Sequence, residues 1–177
     1  MLTVVTGGSG SGKSAYAEDL ILSYGPGTRI YIATMFPFDE ESHRRIARHR
    51  AMRKDKGFET VECYTGLAGL TVPAGAHVLL ECMSNLVANE VFQEGGAGEQ
   101  VVEAVLAGVK ALQRSAAQVC IVTNEIFSGS QAYDAETRRY QQNLGKINCQ
   151  LVEMADAATE VVYGIPLCIK WTDTKKE

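Results

Sequence analysis

The sequence predicts one α/β domain, built on a mostly parallel β-sheet with helices on both faces. The chain of 177 residues is long enough to bury a core, and its 46% apolar and 21% charged residues are typical of a globular protein. Short, continuous apolar runs alternate with segments of helical spacing, as in a parallel sheet that is covered on both faces. We therefore expect a single domain over residues 1–171, followed by a polar tail, residues 172–177, that frays.

Seven strands are predicted along the chain. The first is an apolar run that ends at a pair of glycines, and the third alternates apolar and polar residues with the period of two that marks a strand. The others are short runs rich in apolar and β-branched residues, bounded by turn-forming residues. The predicted strands are Leu2–Thr6, Arg29–Thr34, Phe58–Cys63, His77–Cys82, Gln118–Thr123, Glu160–Tyr163 and Pro166–Trp171.

Five helices are predicted between the strands. The first has apolar residues at helical spacing and stops at Gly25-Pro26-Gly27, a strong helix breaker. The predicted helices are Ser14–Tyr24, Asp39–Lys56, Ser84–Phe92, Glu99–Arg114 and Asp134–Ala157. Ligands of open parallel sheets bind at the carboxyl ends of the strands, so functional residues are expected where the strands end.

A phosphate-binding loop follows the first strand. The segment Gly7, Gly8, Ser9, Gly10, Ser11, Gly12, Lys13, Ser14 matches the pattern G-x-x-x-x-G-K-[ST] between a strand and a helix. Glycines allow backbone N–H groups to surround phosphate oxygens, and the helix N-terminus adds positive charge. Lys13 is expected to reach the β- and γ-phosphates, and the Ser14 hydroxyl to bind Mg²⁺. The segment predicts a P-loop site for a nucleoside triphosphate.

A second oxygen ligand for Mg²⁺ is expected from an acidic residue at a strand end. Glu81 directly follows the apolar run Val78-Leu79-Leu80 and is the first candidate. Glu125, which comes shortly after another apolar strand, is the second. An acid in either position is also compatible with an ordinary loop residue or a helix cap.

The net charge of −4 conceals a strongly basic segment. Residues 43–56 contain seven Lys and Arg and one acidic residue, a net +6, so the rest of the chain carries −10. On a helix Arg45, His49 and Arg53 share one face. One interpretation is a solvated cationic helix with His49 at the surface. The other places a polyphosphate against this face, where a neutral imidazole is able to attack phosphorus. No aromatic residues interleave the basic ones, so no nucleic-acid partner is expected.

Composition also excludes several classes of protein. No apolar run approaches the roughly 18 residues of a membrane span, so none is expected. Met1–Thr6 lacks the charged and apolar regions of a signal peptide, which favours a cytoplasmic location. The five cysteines, Cys63, Cys82, Cys120, Cys149 and Cys168, form no CxxC pair. We expect them to be reduced, small buried residues without zinc.

Eight motifs fall in order along nearly the whole chain. They are the phosphate-binding loop, Tyr31-Ile32-Ala33-Thr34, Arg45-Ile46-x-x-His49, Glu62-Cys63, Leu80-Glu81-Cys82, Val122-Thr123-Asn124-Glu125, Ala155-Asp156 and Gly164-Ile165…Ile169-Lys170. Together they resemble the bifunctional adenosylcobinamide kinase / adenosylcobinamide-phosphate guanylyltransferase family of cobalamin biosynthesis.

This resemblance implies a RecA-like P-loop fold, a homotrimer and two reactions. In the first, ATP or GTP phosphorylates the corrinoid adenosylcobinamide. In the second, GTP guanylylates a histidine, which corresponds to His49, and GMP passes to adenosylcobinamide phosphate. The family's nucleotide contacts correspond here to the loop Gly7–Ser14 and to Ala33, Thr34, Met35, Arg50, Ala51, Met52, Arg53, Glu62 and Glu81.

The sequence departs from the family pattern at two places. Gly10 stands where the family usually has arginine, and Ile126–Tyr133 replaces a Val-Gly-x-Gly-Ile-Val-Pro continuation. The second departure lies at a strand end, near where an acceptor is expected to bind. Two alternatives therefore stay open: a P-loop kinase or nucleotidyltransferase with another small acceptor, and a non-catalytic nucleotide-binding regulatory protein.

Overall fold

A computed structural model describes residues 1–127 and 133–172. Its strands are β1 (Leu2–Thr6), β2 (Arg29–Ala33), β3 (Phe58–Glu62), β4 (His77–Glu81), β5 (Gln118–Val122), β6 (Ala157–Val162) and β7 (Ile165–Trp171). They form one sheet in the order β3-β2-β4-β5-β1-β6-β7. All neighbouring pairs are parallel except β6 and β7, which form an antiparallel hairpin at one edge.

Five helices connect the strands. They are α1 (Lys13–Ser23), α2 (Glu40–Arg53), α3 (Met83–Phe92), α4 (Val101–Ser115) and α5 (Ala135–Met154), with short 3₁₀ turns at Leu67–Gly69 and Gly98–Gln100. Side chains alternate between the two faces of the sheet: in β4, Val78 and Leu80 pack with α3, α4 and α5, whereas Leu79 packs with α1. The predicted α/β class with a mostly parallel, doubly covered sheet is therefore confirmed.

Most element boundaries lie within two residues of the predictions, but three differ by three residues. One is the end of α2, at Arg53 instead of Lys56, and the other two lie near Ala157. The helix predicted to run to Ala157 ends at Met154, and the strand predicted to begin at Glu160 begins at Ala157. The reason is tertiary: Ala157–Glu160 pairs in parallel with Thr3–Thr6 of β1. Pairing with a central strand gives these backbone groups hydrogen bonds that the local helical pattern did not reveal.

The cysteines only partly follow the expectation. All five are free, but Cys149 and Cys168 are exposed, so burial of the whole set was a wrong prediction. Cys168 lies on the exposed edge strand β7, and Cys149 on the outer side of α5.

The strands β2, β4, β5 and β1 are parallel neighbours in the sheet. Their carboxyl ends therefore lie side by side at one edge.

Two segments with predicted features lie outside the residues that the structure describes. Residues 128–132, most of the loop that departs from the family pattern, and residues 173–177 of the predicted tail lie outside the described residues. The domain limits stay a prediction. Among the described residues, none of the helices has both the length and the hydropathy required to cross a bilayer.

Candidate active site

A cleft of about 520 Å³ opens at the carboxyl ends of the strands, between the phosphate-binding loop and α2. It contains most of the residues predicted from the sequence. Those lining it are Ser9, Gly10, Ser11, Gly12, Lys13, Ser14, Ala33, Met35, His49, Arg50, Arg53, Glu62 and Glu81. Residues from five separate segments of the chain thus meet at one edge of the sheet.

The phosphate-binding loop curves between β1 and α1. Gly7 has φ +149°, and a side chain there would place Cβ 2.5 Å from the carbonyl oxygen of Val161, so only glycine fits. Lys13 is buried and donates from Nζ to the carbonyl oxygen of Gly8 at 2.9 Å. Burial lowers the pKa of Lys13, against the opposing influence of Cys82 and Glu81. The loop therefore presents a cation and the N-terminus of α1 to the cleft.

Glu81 is the central carboxylate of the cleft, and it is 9% exposed. The Ser14 hydroxyl donates a short hydrogen bond to its Oε1. The Tyr31 hydroxyl donates to its Oε2 at 3.1 Å, and burial, the largest cause, raises the pKa of Tyr31. The carboxylate of the other candidate acid, Glu125, instead accepts from the backbone N–H of Phe127 at 2.7 Å. Of the two predicted acids, the geometry favours Glu81.

Helix α2 carries the basic face across the cleft. It begins at a capping box. The Asp39 side chain accepts from the backbone N–H of Ser42, and the Ser42 hydroxyl accepts from the backbone N–H of Asp39. Beyond its other end, Lys56 forms an ion pair at 2.8 Å with the fully buried Glu18 of α1. His49 lies between these ends, with its side chain 22% exposed and Nδ1 3.7 Å from Oε1 of Glu81. Both ends of the helix are therefore held while His49 faces the cleft.

The arginines of α2 have different surroundings. Arg53 is 5% exposed, and its guanidinium carbon lies 3.4 Å from the centroid of the Tyr31 ring. Its Nε and Nη1 atoms are buried without a hydrogen-bond partner among the described residues. Arg50 forms an exposed ion pair with Glu62 at 2.7 Å. Arg45 also lines the cleft, so the predicted shared face of Arg45, His49 and Arg53 is confirmed.

Some of the predicted nucleotide contacts lie outside this lining. The Thr34 side chain is fully buried, and its Oγ1 donates to the carbonyl oxygen of Cys82 at 2.8 Å. Gly7 and Gly8 form the base of the loop, and Ala51 is exposed on α2. The side chain of Met52, in the same helix, is not among those that the structure describes. For these five residues, as for those that line the cleft, contact with a nucleotide stays a prediction.

The basic residue Arg48 and three uncharged polar residues line the cleft but were not singled out from the sequence as site residues. The three uncharged residues are Tyr31, Asn85 and Asn124. Asn124 donates from Nδ2 to the Ser84 hydroxyl at 2.6 Å. Tyr31 lies in the middle of β2, Asn85 in the first turn of α3 and Asn124 two residues beyond β5, so they share no sequence signal that would have identified them. In residues 1–127 and 133–172, no group of three or more His, Cys, Asp or Glu side chains is arranged to hold a metal ion.

The fold resembles that of a solved ATPase. A prototypical ATPase from the type III secretion system of pathogenic bacteria superposes with a TM-score of 0.54 over 90% of this chain and 50% of that one, at 8% identity. At this identity the likeness concerns the fold alone. It confirms the RecA-like P-loop fold class that the sequence predicts.

Sequence comparison identifies the family. Residues 3–169 match the model described as cobinamide kinase / cobinamide phosphate guanyltransferase. Relatives named bifunctional adenosylcobalamin biosynthesis protein CobU are 36% identical in Escherichia coli K12 and 33% identical in Salmonella typhimurium LT2; each match covers 96% of this chain and 100% of the relative. A Pseudomonas aeruginosa protein with the same description, CobP, is 31% identical over 96% of this chain and 98% of its own. The chain therefore belongs to the cobinamide kinase / cobinamide phosphate guanyltransferase family.

Proposed function

We propose that this protein phosphorylates adenosylcobinamide with a nucleoside triphosphate, and then transfers GMP from GTP to adenosylcobinamide phosphate through a guanylylated His49. The product is adenosylcobinamide-GDP. Family membership supports both reactions. The observation that carries the proposal is the placement of His49, which faces the phosphate-binding loop across the cleft with Nδ1 3.7 Å from the Glu81 carboxylate.

In the kinase reaction the loop amides and Lys13 would hold the β- and γ-phosphates of the triphosphate. The hydroxyl of adenosylcobinamide attacks the γ-phosphorus and gives up its proton to solvent, and the bond between that phosphorus and the β,γ-bridging oxygen breaks. Lys13 is suited to offset charge on the departing diphosphate, because it is a buried cation at the loop.

Mg²⁺ fits the donor atoms present. The Ser14 hydroxyl and the Glu81 carboxylate are hard oxygen ligands in direct contact with each other. We infer that these two residues hold the ion, directly or through water. When bound, Mg²⁺ supplies positive charge to the phosphate oxygens of the nucleotide.

In the guanylyl transfer Nε2 of His49 attacks the α-phosphorus of GTP. A nitrogen–phosphorus bond forms, and the bond from that phosphorus to the bridging oxygen of pyrophosphate breaks. Nδ1 faces Glu81 at 3.7 Å, and this carboxylate would stabilise the positive charge that develops on the ring. A phosphate oxygen of the acceptor then attacks the same phosphorus and releases His49. Two easier transfers replace one difficult transfer.

We also propose a homotrimer and a cytoplasmic location. Alternate side chains of the edge strand β7, Ile165, Leu167, Ile169 and Trp171, are 48–64% exposed. Exposed apolar side chains in a row are typical of a surface that another chain covers. Light scattering coupled to gel filtration measures the oligomeric state directly.

The cytoplasmic location is supported by the five free cysteines, because free thiols are typical of a reducing compartment.

The guanylylated intermediate is the most direct test of the proposed function. The protein is incubated with α-³²P-GTP and Mg²⁺, and the label on the protein is tested for acid lability and base stability. We expect the wild type to be labelled and His49→Ala to take up no label. His43→Ala, an exposed histidine on another part of α2, is the matched control and should label normally.

Labelled His49→Ala protein would contradict the nucleophile, and unlabelled wild type would contradict guanylylation. The kinase step is tested separately by transfer of the γ-phosphate to adenosylcobinamide. Turnover that does not depend on this acceptor is hydrolysis by water, and no transfer to adenosylcobinamide would favour a different alcohol as the substrate. Lys13→Ala is expected to abolish both activities, because the loop loses its buried cation.

A further inference from the structure

A second groove, of about 380 Å³, opens beside the catalytic cleft. The loop after β2 forms one wall with Phe36 and Phe38, and the first turns of α2 and part of α3 form the rest. Met35, Arg45 and Asn85 line both the groove and the cleft. The two spaces are therefore continuous, and a single ligand is able to occupy both.

The wall of the groove is aromatic and open to solvent. The rings of Phe36 and Phe38 lie 4.7 Å apart, and Phe36 packs edge-on against Tyr64 at 5.0 Å. Phe38 is nevertheless 72% exposed. The capping box at Asp39 directly follows Phe38 and fixes the start of α2, so the rings are presented by an ordered segment. A large exposed aromatic side chain in a concave surface marks a site for an apolar ligand face.

We propose that this groove, here called the aromatic groove, binds the macrocycle of the corrinoid acceptor. This inference rests on the proposed function and adds the acceptor's position to it. A corrin ring has broad apolar faces and carries amide side chains at its periphery. The rings of Phe36 and Phe38 match the apolar face, and the Asn85 amide, at the boundary with the cleft, matches the peripheral amides.

Arg45 lies between the aromatic groove and His49, the proposed nucleophile. Arg45 lies four residues before His49 on α2, a rise of about 6 Å along the helix. Its guanidinium pairs with Glu41 at 2.6 Å, and both side chains are mostly exposed. Such an exposed pair is weak, so Arg45 is free to exchange Glu41 for a phosphate. An acceptor with its ring on the phenylalanines would extend its phosphate past Arg45 to His49.

The kinase assay with adenosylcobinamide as the varied substrate tests this position. Phe38→Ala is expected to raise the KM for adenosylcobinamide about tenfold, since it removes an aromatic contact. Labelling of His49 by α-³²P-GTP should stay at the wild-type level, because the nucleotide lies in the cleft. Phe38→Tyr keeps the ring and should have a near wild-type KM. Phe92→Ala removes another exposed aromatic side chain, outside the groove, and should not change it.

The outcomes separate this inference from the proposed function. If Phe36→Ala and Phe38→Ala both keep the wild-type KM while His49 still labels, the aromatic groove is wrong and the proposed function stands. If Phe127→Ala raises the KM instead, the acceptor binds at the loop after β5. Equilibrium dialysis with adenosylcobinamide covers the case of no turnover: wild-type protein that does not bind it, or binds it no better than Phe38→Ala, overturns the inference.

Discussion

Nδ1 of His49 lies 3.7 Å from Oε1 of Glu81, on a carboxylate that also accepts hydrogen bonds from Ser14 and Tyr31. Three segments of the chain, α1, β2 and α2, thus converge on one side chain of β4. The separation exceeds that of a hydrogen bond, and such contacts often shorten when substrate binds. With Nδ1 turned toward Glu81, Nε2 is the nitrogen left to attack phosphorus.

Loss of the Glu81 charge is therefore expected to slow both reactions. Glu81→Gln keeps the shape of the side chain but removes the anion that faces His49 and Ser14. We expect the rate of His49 labelling by α-³²P-GTP to fall about 100-fold, the magnitude of one acid–base or electrostatic contribution. Rapid-quench labelling measures this rate.

Glu125→Gln is the matched control for that experiment. Glu125 also follows a buried strand, but its carboxylate accepts from the Phe127 backbone N–H. The rate of labelling should be close to wild type. A larger loss in Glu125→Gln than in Glu81→Gln would reverse the assignment of the two acids.

Tyr31 makes two separable contacts, one through its ring and one through its hydroxyl. Tyr31→Phe keeps the ring beneath Arg53 and loses the hydrogen bond to Glu81, so kcat should fall with little change in the KM for GTP. Tyr31→Leu also loses the cation–π contact, worth about 1 kcal/mol, and should raise that KM about fivefold. Equal KM values for the two variants would show that the ring does not position Arg53.

The ion pair between Lys56 and Glu18 should contribute to stability. Lys56→Met would leave the fully buried Glu18 carboxylate without its cation, at a cost of about 3 kcal/mol. Urea denaturation measures the free energy of unfolding. Lys54→Met, at an exposed neighbour, should change it little. Adding Glu18→Gln to Lys56→Met should recover part of the loss; no recovery would mean that the buried charge is not its cause.

Stability should fall at alkaline pH partly because of Tyr140. Burial raises the pKa of Tyr140 to about 12, and its hydroxyl donates to the carbonyl oxygen of Ser84 at 3.0 Å. An unfolded tyrosine ionises near pH 10, so the unfolded state loses its proton first. The stabilisation is complete below about pH 10 and is lost as the pH rises toward about 12.

Urea midpoints at pH 8, 10 and 11 measure this effect. Tyr140→Phe should be less stable than wild type at pH 8, since the hydrogen bond is lost, but should lose less stability between pH 10 and pH 11. Tyr163→Phe, at a site that is 95% exposed, should follow the wild type at each pH. A Tyr140→Phe profile parallel to that of the wild type would exclude a contribution from this residue.

Most strands and helices could be predicted from patterns within short segments of the sequence. The apolar run Leu2–Thr6 and the glycine-rich loop after it encode β1 and the start of α1 locally, because their side chains and φ requirements suffice. The common face of Arg45, His49 and Arg53 follows from helical spacing alone. The start of β6 at Ala157 was missed, because it depends on pairing with β1, more than 150 residues away.

The sequence by itself determined the phosphate-binding loop, the basic face of α2 and the resemblance that led to the family. Only the tertiary structure decided that Glu81 rather than Glu125 faces Ser14, that Arg53 lies over Tyr31, and that the aromatic groove joins the cleft. The physical reason is that Ser14 and Glu81 are 67 residues apart. Contacts over such a separation depend on the order of strands in the sheet, which no local pattern records.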